Sequence, residues 1–194
     1  MRSFRPHCAR VGQFRLRQAA RWIKAGGIVA YPTEGVYGLG CHPRLEAAVL
    51  RLLAIKKRDI NKGLILIAAD FDQLREYVVP LDEEAMRPVL ASWPGPFTWL
   101  LPARPSAPGW VCGNHETIAV RVTAHPTASA LCRAAGTALV STSANLSGRA
   151  PSRSAVDVRK QLGTEVDFLL SGPLGTLHRP TPILDGRTGA FVRV

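Results

Sequence analysis

Leu16, Ala19, Ala20 and Ile23 recur at helical spacing within a charged stretch, and Gly26-Gly27 ends the pattern, so an amphipathic helix is expected over Phe14 to Ala25. The apolar, β-branched run Gly27 to Tyr31 reads as a strand that Pro32 stops. A glycine-rich connection, Thr33 to Gly40, leads to a second helix over Leu45 to Lys56, with Leu45, Val49, Leu52 and Leu53 as its apolar stripe. Gly63 to Ala68 is apolar at every position that would face either side of a sheet, the mark of a buried strand. Asp70 and Asp82 are placed to cap two helices after it.

Phe97 to Leu101 and Thr117 to Val122 are further strands, and Thr127 to Ala135 is a helix closed by Gly136. A short strand, Ala138 to Ser141, precedes a helix over Ser154 to Leu162 and a strand over Val166 to Leu170; extended runs at Thr181 to Leu184 and Ala190 to Val194 close the chain. Strands alternating with helices predict an α/β domain with a twisted, mixed sheet. The proline-rich piece Pro102 to Gly109 reads as a loop inside it. One domain is expected over residues 7–194, with residues 1–6 as a flexible N-terminus, and there is no internal repeat.

Composition narrows the class. With 194 residues, 46% of them apolar, the chain can bury a sizeable core. No stretch approaches the roughly 20 apolar residues of a membrane helix, and the basic segment Met1 to Arg10 leads into charged residues rather than an apolar signal core, so no membrane association and a cytoplasmic location are expected. Cys8, Cys41, Cys112 and Cys132 are scattered without a C-x-x-C pair, so reduced thiols and no structural metal are expected; His42 beside Cys41 and His115 near Cys112 read as incidental neighbours. The formal charge of +11 points to polyanionic partners without naming one.

No G-x-x-x-x-G-K-[ST] loop is present, the glycines of Gly35 to Gly40 have the wrong order for a dinucleotide fingerprint, and no nucleophile sits in a G-x-S-x-G setting. What remains are polar segments that follow or punctuate strands, where ligands sit in α/β sheets. They are Tyr31 to Gly38, Lys56 to Gly63, Trp93 to Thr98 and Ser141 to Gly148. Each alone has a structural reading; lysine and arginine at a helix C-terminus, for instance, are favoured by the dipole. Together, the hydroxyls and amide of Ser141 to Ser147 with the charges of Lys56, Arg58 and Lys62 make a phosphate-binding cleft the economical explanation.

The order of these segments, with Thr117-Ile118-Ala119-Val120-Arg121-Val122 and Ser141-Thr142-Ser143-Ala144-Asn145, resembles the YrdC/TsaC-like threonylcarbamoyl-AMP synthases from about Phe14 to the C-terminus, in their short bacterial form. The resemblance implies an open twisted α/β sheet flanked by helices, with a deep basic cavity. It also implies a reaction joining L-threonine, bicarbonate/CO2 and ATP into threonylcarbamoyl-AMP with release of pyrophosphate, Mg2+ accompanying ATP. A downstream transferase would then modify tRNA. The K-x-R and S-x-N elements, central in the family, are here Lys56, Arg58, Ser143 and Asn145, the implied catalytic set. Arg58, Lys62, Thr117, Ser143 and Arg193 would face ATP, and Thr33, Gly35, Arg121, Ser141 and Thr181 would hold threonine.

Three positions depart from the family pattern: Gly35 in place of the last Thr of P-T-E-T, Asp59 in place of Pro after K-x-R, and Ile67 where some relatives have His. The cations suit the chemistry, because a carbamate must attack another anion, the α-phosphate, and water must be kept out. Glu34 is the nearest carboxylate to serve as a base, although a loop carboxylate is more often a cap or a surface charge. The rival reading is a noncatalytic double-stranded RNA- or tRNA-binding protein, on charge alone.

Overall fold

A computed structural model describes residues 11–177 and 181–193; the expected flexible start at residues 1–6, and Cys8, lie outside the described residues. The elements run α1 (Gln13–Lys24), β1 (Val29–Pro32), β2 (Tyr37–Cys41), α2 (Glu46–Lys56), β3 (Ile65–Ala68), α3 (Glu83–Ala91), β4 (Thr98–Pro102), α4 (Gly109–Cys112), β5 (Thr117–Val122), α5 (Pro126–Ala135), β6 (Leu139–Ser143), α6 (Ala155–Leu162), β7 (Phe168–Leu169), β8 (Ile183–Asp185) and β9 (Phe191–Arg193). The strands form one sheet of nine in the order β7-β1-β2-β6-β3-β5-β4-β8-β9. It is mixed as expected, with β1–β7, β3–β5 and β4–β8 parallel and the other pairs antiparallel.

Local chemistry sets most boundaries. The Asp82 carboxylate accepts from Ala85 N and the Ser154 hydroxyl from Asp157 N, capping α3 and α6, and Gly136 ends α5 at φ 74°. Asp70 does accept from Gln73 N, but the element it opens is only a 3-10 turn, Asp72–Leu74. The chain cannot continue as a helix there, because Leu74, Tyr77 and Val78 are all buried and Val79 N bonds to Pro102 O beside β4. The short helix α4 follows the proline-rich loop and was not foreshadowed by any apolar period.

The glycine-rich connection holds a strand. Tyr37–Cys41 pairs antiparallel with β1 in a register from Val29↔Gly40 to Pro32↔Tyr37, so Pro32 is the last paired residue and ends β1. Gly40 is small because the β1 residue Tyr31 lies across it. A Cβ there would stand 2.6 Å from Val140 O and 2.9 Å from the Tyr31 ring. The composition that suggested a loop is what lets a buried strand approach an aromatic ring.

Alternation along the strands sorts side chains to two faces. Ile118, Val120 and Val122 of β5, Leu66 of β3 and Val140 of β6 join Val49, Leu52 and Leu53 of α2 in the larger core. The opposite face carries Val29, Tyr31, Ile67 and Leu139 against Leu16, Ala19 and Ile23 of α1 and Leu131 and Cys132 of α5. On this second face the next positions along β5 and β6 are Thr117, Ala119, Arg121, Ser141 and Ser143, which line a cavity instead of a core. Gly40→Ala is expected to lower unfolding stability by about 1–3 kcal/mol through this overpacking. Urea unfolding checks it, and an unchanged midpoint would mean that the Tyr31 ring yields freely.

Candidate active site

The uncovered part of that face opens into a cavity of about 770 Å³, within the roughly 300–1,000 Å³ range of small-molecule sites. Arg58, Lys62, Arg121 and Arg153 line it, and no Asp or Glu does, among the described residues. The cavity therefore favours anions by charge as well as by its hydroxyls.

One wall is the turn after α2. Lys57 takes the left-handed conformation at φ 44°, the Asp59 carboxylate accepts from Asn61 N at 2.9 Å, and a 3-10 turn, Ile60–Lys62, follows. Asp59, a departure from the family pattern, is thus used as a cap. Gly63, at φ 61°, lets the chain pass α4, since a Cβ there would meet Cys112 O at 2.8 Å. The turn presents Arg58 and Lys62 to the cavity, with Arg58 Nη2 donating to Gly63 O at 2.9 Å.

The facing wall is the end of β6. Ser143 lines the cavity, while Lys56 and Asn145 are buried and do not. Lys56 Nζ donates to Ser143 O at 2.8 Å, Asn145 O at 2.6 Å and Asn145 Oδ1 at 2.7 Å, which uses all three ammonium hydrogens. Asn145 Nδ2 donates to Leu146 O at 3.0 Å and Arg149 O at 2.6 Å, and the Ser143 hydroxyl donates to Asn145 Oδ1 at 2.7 Å. Burial, and then the neighbouring Arg58 guanidinium, push the Lys56 pKa down to about 8, and below that pH the ammonium holds its three acceptors. The four residues of the implied catalytic set are therefore together, in two roles. Arg58 and Ser143 face the space, and Lys56 with Asn145 knots the turn that carries Ser143.

The third wall gathers Thr33, Gly35, Arg121, Ser141 and Thr181. Arg121 Nη1 donates to Thr181 Oγ1 at 2.7 Å and Thr98 Oγ1 at 3.2 Å. The buried Tyr31 hydroxyl donates to Ser141 Oγ at 2.9 Å, and the Thr33 hydroxyl to Val36 O at 2.7 Å. Ile67 is fully buried under α1 and α5, so that departure does not reach the cavity. Thr117 lines the cavity as expected; Arg193 closes β9 opposite Ile183, and its side chain lies outside the described residues.

Cys112, His115 and Arg153 also line the cavity. In the sequence the first two carry no signal beyond a metal-like proximity, and among the described residues no cluster of His, Cys, Asp or Glu could hold a metal ion. Arg153 lies just past the Ser141 to Gly148 segment; the proximity of a cation to a hydroxyl-rich turn was the available signal. Glu34, the candidate base, does not line the cavity: its carboxylate is buried beside Arg121 and Thr123.

A family profile, Sua5_yciO_yrdC, described as "Telomere recombination", matches residues 21–193. The threonylcarbamoyl-AMP synthase of Halorhodospira halophila is 59% identical over 180 residues, 93% of this chain and 94% of that one. Among solved structures, P. abyssi Sua5 complexed with L-threonine is 33% identical with a TM-score of 0.85; the match covers 91% of this chain, which spans only 52% of that one. E. coli YciO is 29% identical with a TM-score of 0.81, over 94% and 89% of the two chains.

The two roles around the cavity predict unequal variants. Lys56→Ala strips Asn145 O of its donor, leaves Ser143 O and Asn145 Oδ1 with one donor each, and should lose about 2–4 kcal/mol of unfolding stability. Arg58→Ala, at an exposed position, should stay within about 1 kcal/mol of wild type while weakening nucleotide binding. Thermal unfolding alongside nucleotide titration reads both, and equal stability losses would contradict the assignment.

Proposed function

Because the chain belongs to the Sua5/YciO/YrdC family, we propose that it is an L-threonylcarbamoyladenylate synthase, a nucleotidyltransferase making threonylcarbamoyl-AMP and pyrophosphate from L-threonine, bicarbonate/CO2 and ATP. The observation that carries the reading is the cavity, where hydroxyls and cations from the turn after α2 and from the ends of β5 and β6 converge, with no carboxylate among the described residues that line it. Relatives bearing the synthase name at 59% and 53% identity over 93% of the chain support it, as does the threonine-bound state of P. abyssi Sua5.

Arg58 and Lys62 stand where phosphates are compensated, with Thr117 donating a hydroxyl hydrogen bond and Ser143 doing so once its single hydroxyl hydrogen turns from Asn145 Oδ1 to the phosphate. Arg193 would complete the nucleotide side. Arg121 holds the threonine carboxylate, with Ser141, Thr181, Thr33 and the backbone at Gly35 around it. Lys56 and Asn145 act through the Ser143 turn. Threonine's amine takes up CO2 as a carbamate, whose oxygen attacks the α-phosphorus as pyrophosphate leaves, and the cations offset repulsion between the two anions. Among the described residues no carboxylate lines the cavity to cage Mg2+, so Mg2+ arriving with ATP would be held by phosphate oxygens and water, its common mode.

The reading places the protein in the cytoplasm, working as one domain over residues 7–194 and handing its labile product to a threonylcarbamoyl transferase that modifies tRNA. No helix among the described residues is long and apolar enough to cross a membrane. The charge of +11 also favours contact with tRNA or double-stranded RNA, as a secondary property of a synthase. Purified protein should release pyrophosphate from ATP only when threonine and bicarbonate are both present, with the adenylate visible by mass spectrometry. Equal release without threonine sinks the synthase reading, and RNA affinity without any ATP binding would put the noncatalytic RNA-binding alternative in its place.

A further inference from the structure

Arg121 has an arrangement that the substrate assignment alone does not explain. Its Nη1 hydrogens go to Thr98 and Thr181, its Nε is buried without a partner, and its Nη2 lies 3.5 Å from Glu34 Oε2. Glu34 Oε1 accepts from the Thr123 hydroxyl at 2.5 Å, whereas Oε2 is buried with no hydrogen-bond partner. Glu34 and Arg121 are 7% and 6% exposed, yet only Arg121 lines the cavity. The Glu34 backbone is gripped as well: its carbonyl accepts from Leu177 N at 3.0 Å, and a Cβ on Gly175 would stand 2.6 Å from that same oxygen.

We propose that Glu34 is a positioning residue that sets the Arg121 guanidinium for the carboxylate of the amino-acid substrate. This rests on the reading of the third wall as the threonine subsite. A buried guanidinium without a counter-ion is strongly disfavoured, so Glu34 offsets the Arg121 charge and holds the side chain in place while the site is empty. The pair is slack, however. Charge-assisted N–H···O bonds lie near 2.8 Å, about 0.7 Å shorter than this contact, so Nη2 and Nε hydrogens are not consumed by Glu34. An arriving carboxylate meets a preset guanidinium with unused Nη2 hydrogens, while the buried Nε stays out of its reach. Burial opposes the Glu34 anion, but Arg121 and Thr123 outweigh that effect and hold its pKa below the ordinary carboxylate value, so it is a fixed charge at neutral pH and unsuited to take up a proton.

Glu34→Gln keeps the shape and removes the charge. Titration calorimetry of L-threonine and of ATP, each against wild type and variant, should show threonine binding weakened about tenfold with ATP affinity within about twofold. The steady-state KM for threonine should rise by a like factor while kcat changes less. Thr123→Val, which removes the hydrogen bond holding Oε1, should weaken threonine binding by about two- to fivefold. A folded Glu34→Gln protein that binds threonine as wild type does overturns the inference, as does an equal loss of affinity for both substrates. If Glu34→Gln does not fold, Thr123→Val decides, and unchanged threonine affinity there is equally fatal. Absence of threonine binding by the wild type would instead sink the subsite reading, and this inference with it.

Discussion

Unequal cover over the two faces of one sheet is the constraint from which the rest follows. Period-two alternation sends Ile118, Val120 and Val122 into the larger core, so Thr117, Ala119 and Arg121 must emerge on the other face. There, α1 and α5 bury Val29, Tyr31, Ile67 and Leu139 and leave the neighbouring strand positions uncovered. A sheet face without a helix over it must be wetted or filled by a ligand. On β5 and β6 the residues found on it are small, hydroxylated or cationic, and Ile65, Leu100 and Ile183 of the neighbouring strands add an apolar floor, a mixture that suits an anionic ligand with an apolar part. The cavity is thus a missing piece of core, set by which strand positions the helices cover.

A cavity floor made of strands is rigid, but its walls are turns, and turns must be held. Lys56 holds one with its ammonium group. Donating three hydrogen bonds to a carbonyl, a second carbonyl and an amide oxygen, it closes the backbone from Ser143 to Asn145 around a buried charge. Desolvating an ammonium is unfavourable, and only full satisfaction of its hydrogens offsets that. The same lysine ends α2, whose next residue, Lys57, reverses the chain so that Arg58 and Lys62 face inward. One buried group therefore fixes both the hydroxyl wall and the cationic wall, and their separation is a property of the fold instead of the ligand.

Most of the fold was legible because helical and strand periods are local. The stripe of α1 and the alternation Thr117 to Val122 need no tertiary information, nor does the Gly136 stop. β2 was not legible: Tyr37-Gly38-Leu39-Gly40-Cys41 has the composition of a loop, and only the Val140 carbonyl and the Tyr31 ring lying against it explain why glycine is required at position 40. The Asp70 turn failed as a helix for a similar reason, since anchoring of Tyr77 and Val78 overrode a sound cap. For the site, residue types identified which segments carry polar chemistry but not which way each side chain points. Lys56 and Arg58 look equivalent as letters. At the end of α2 one turns under β6 and the other toward the cavity, a distinction made by a single left-handed residue between them.

Charge balance links these details. Four cations around one cavity repel each other when it is empty, and a site that relied on substrate alone to relieve this would be poorly ordered beforehand. Among the described residues the carboxylates stay off the cavity surface, yet not far from it. Glu34 sits behind the third wall against Arg121, and Asp59 caps the turn that carries Lys62. Carboxylates in those places stabilise the cationic walls without competing for the space that phosphate and amino acid need. A carboxylate lining the cavity would do the reverse, opposing the approach of one anion to another. The reaction requires that approach, so the placement of negative charge behind the walls is as much a condition of the chemistry as the positive charge upon them.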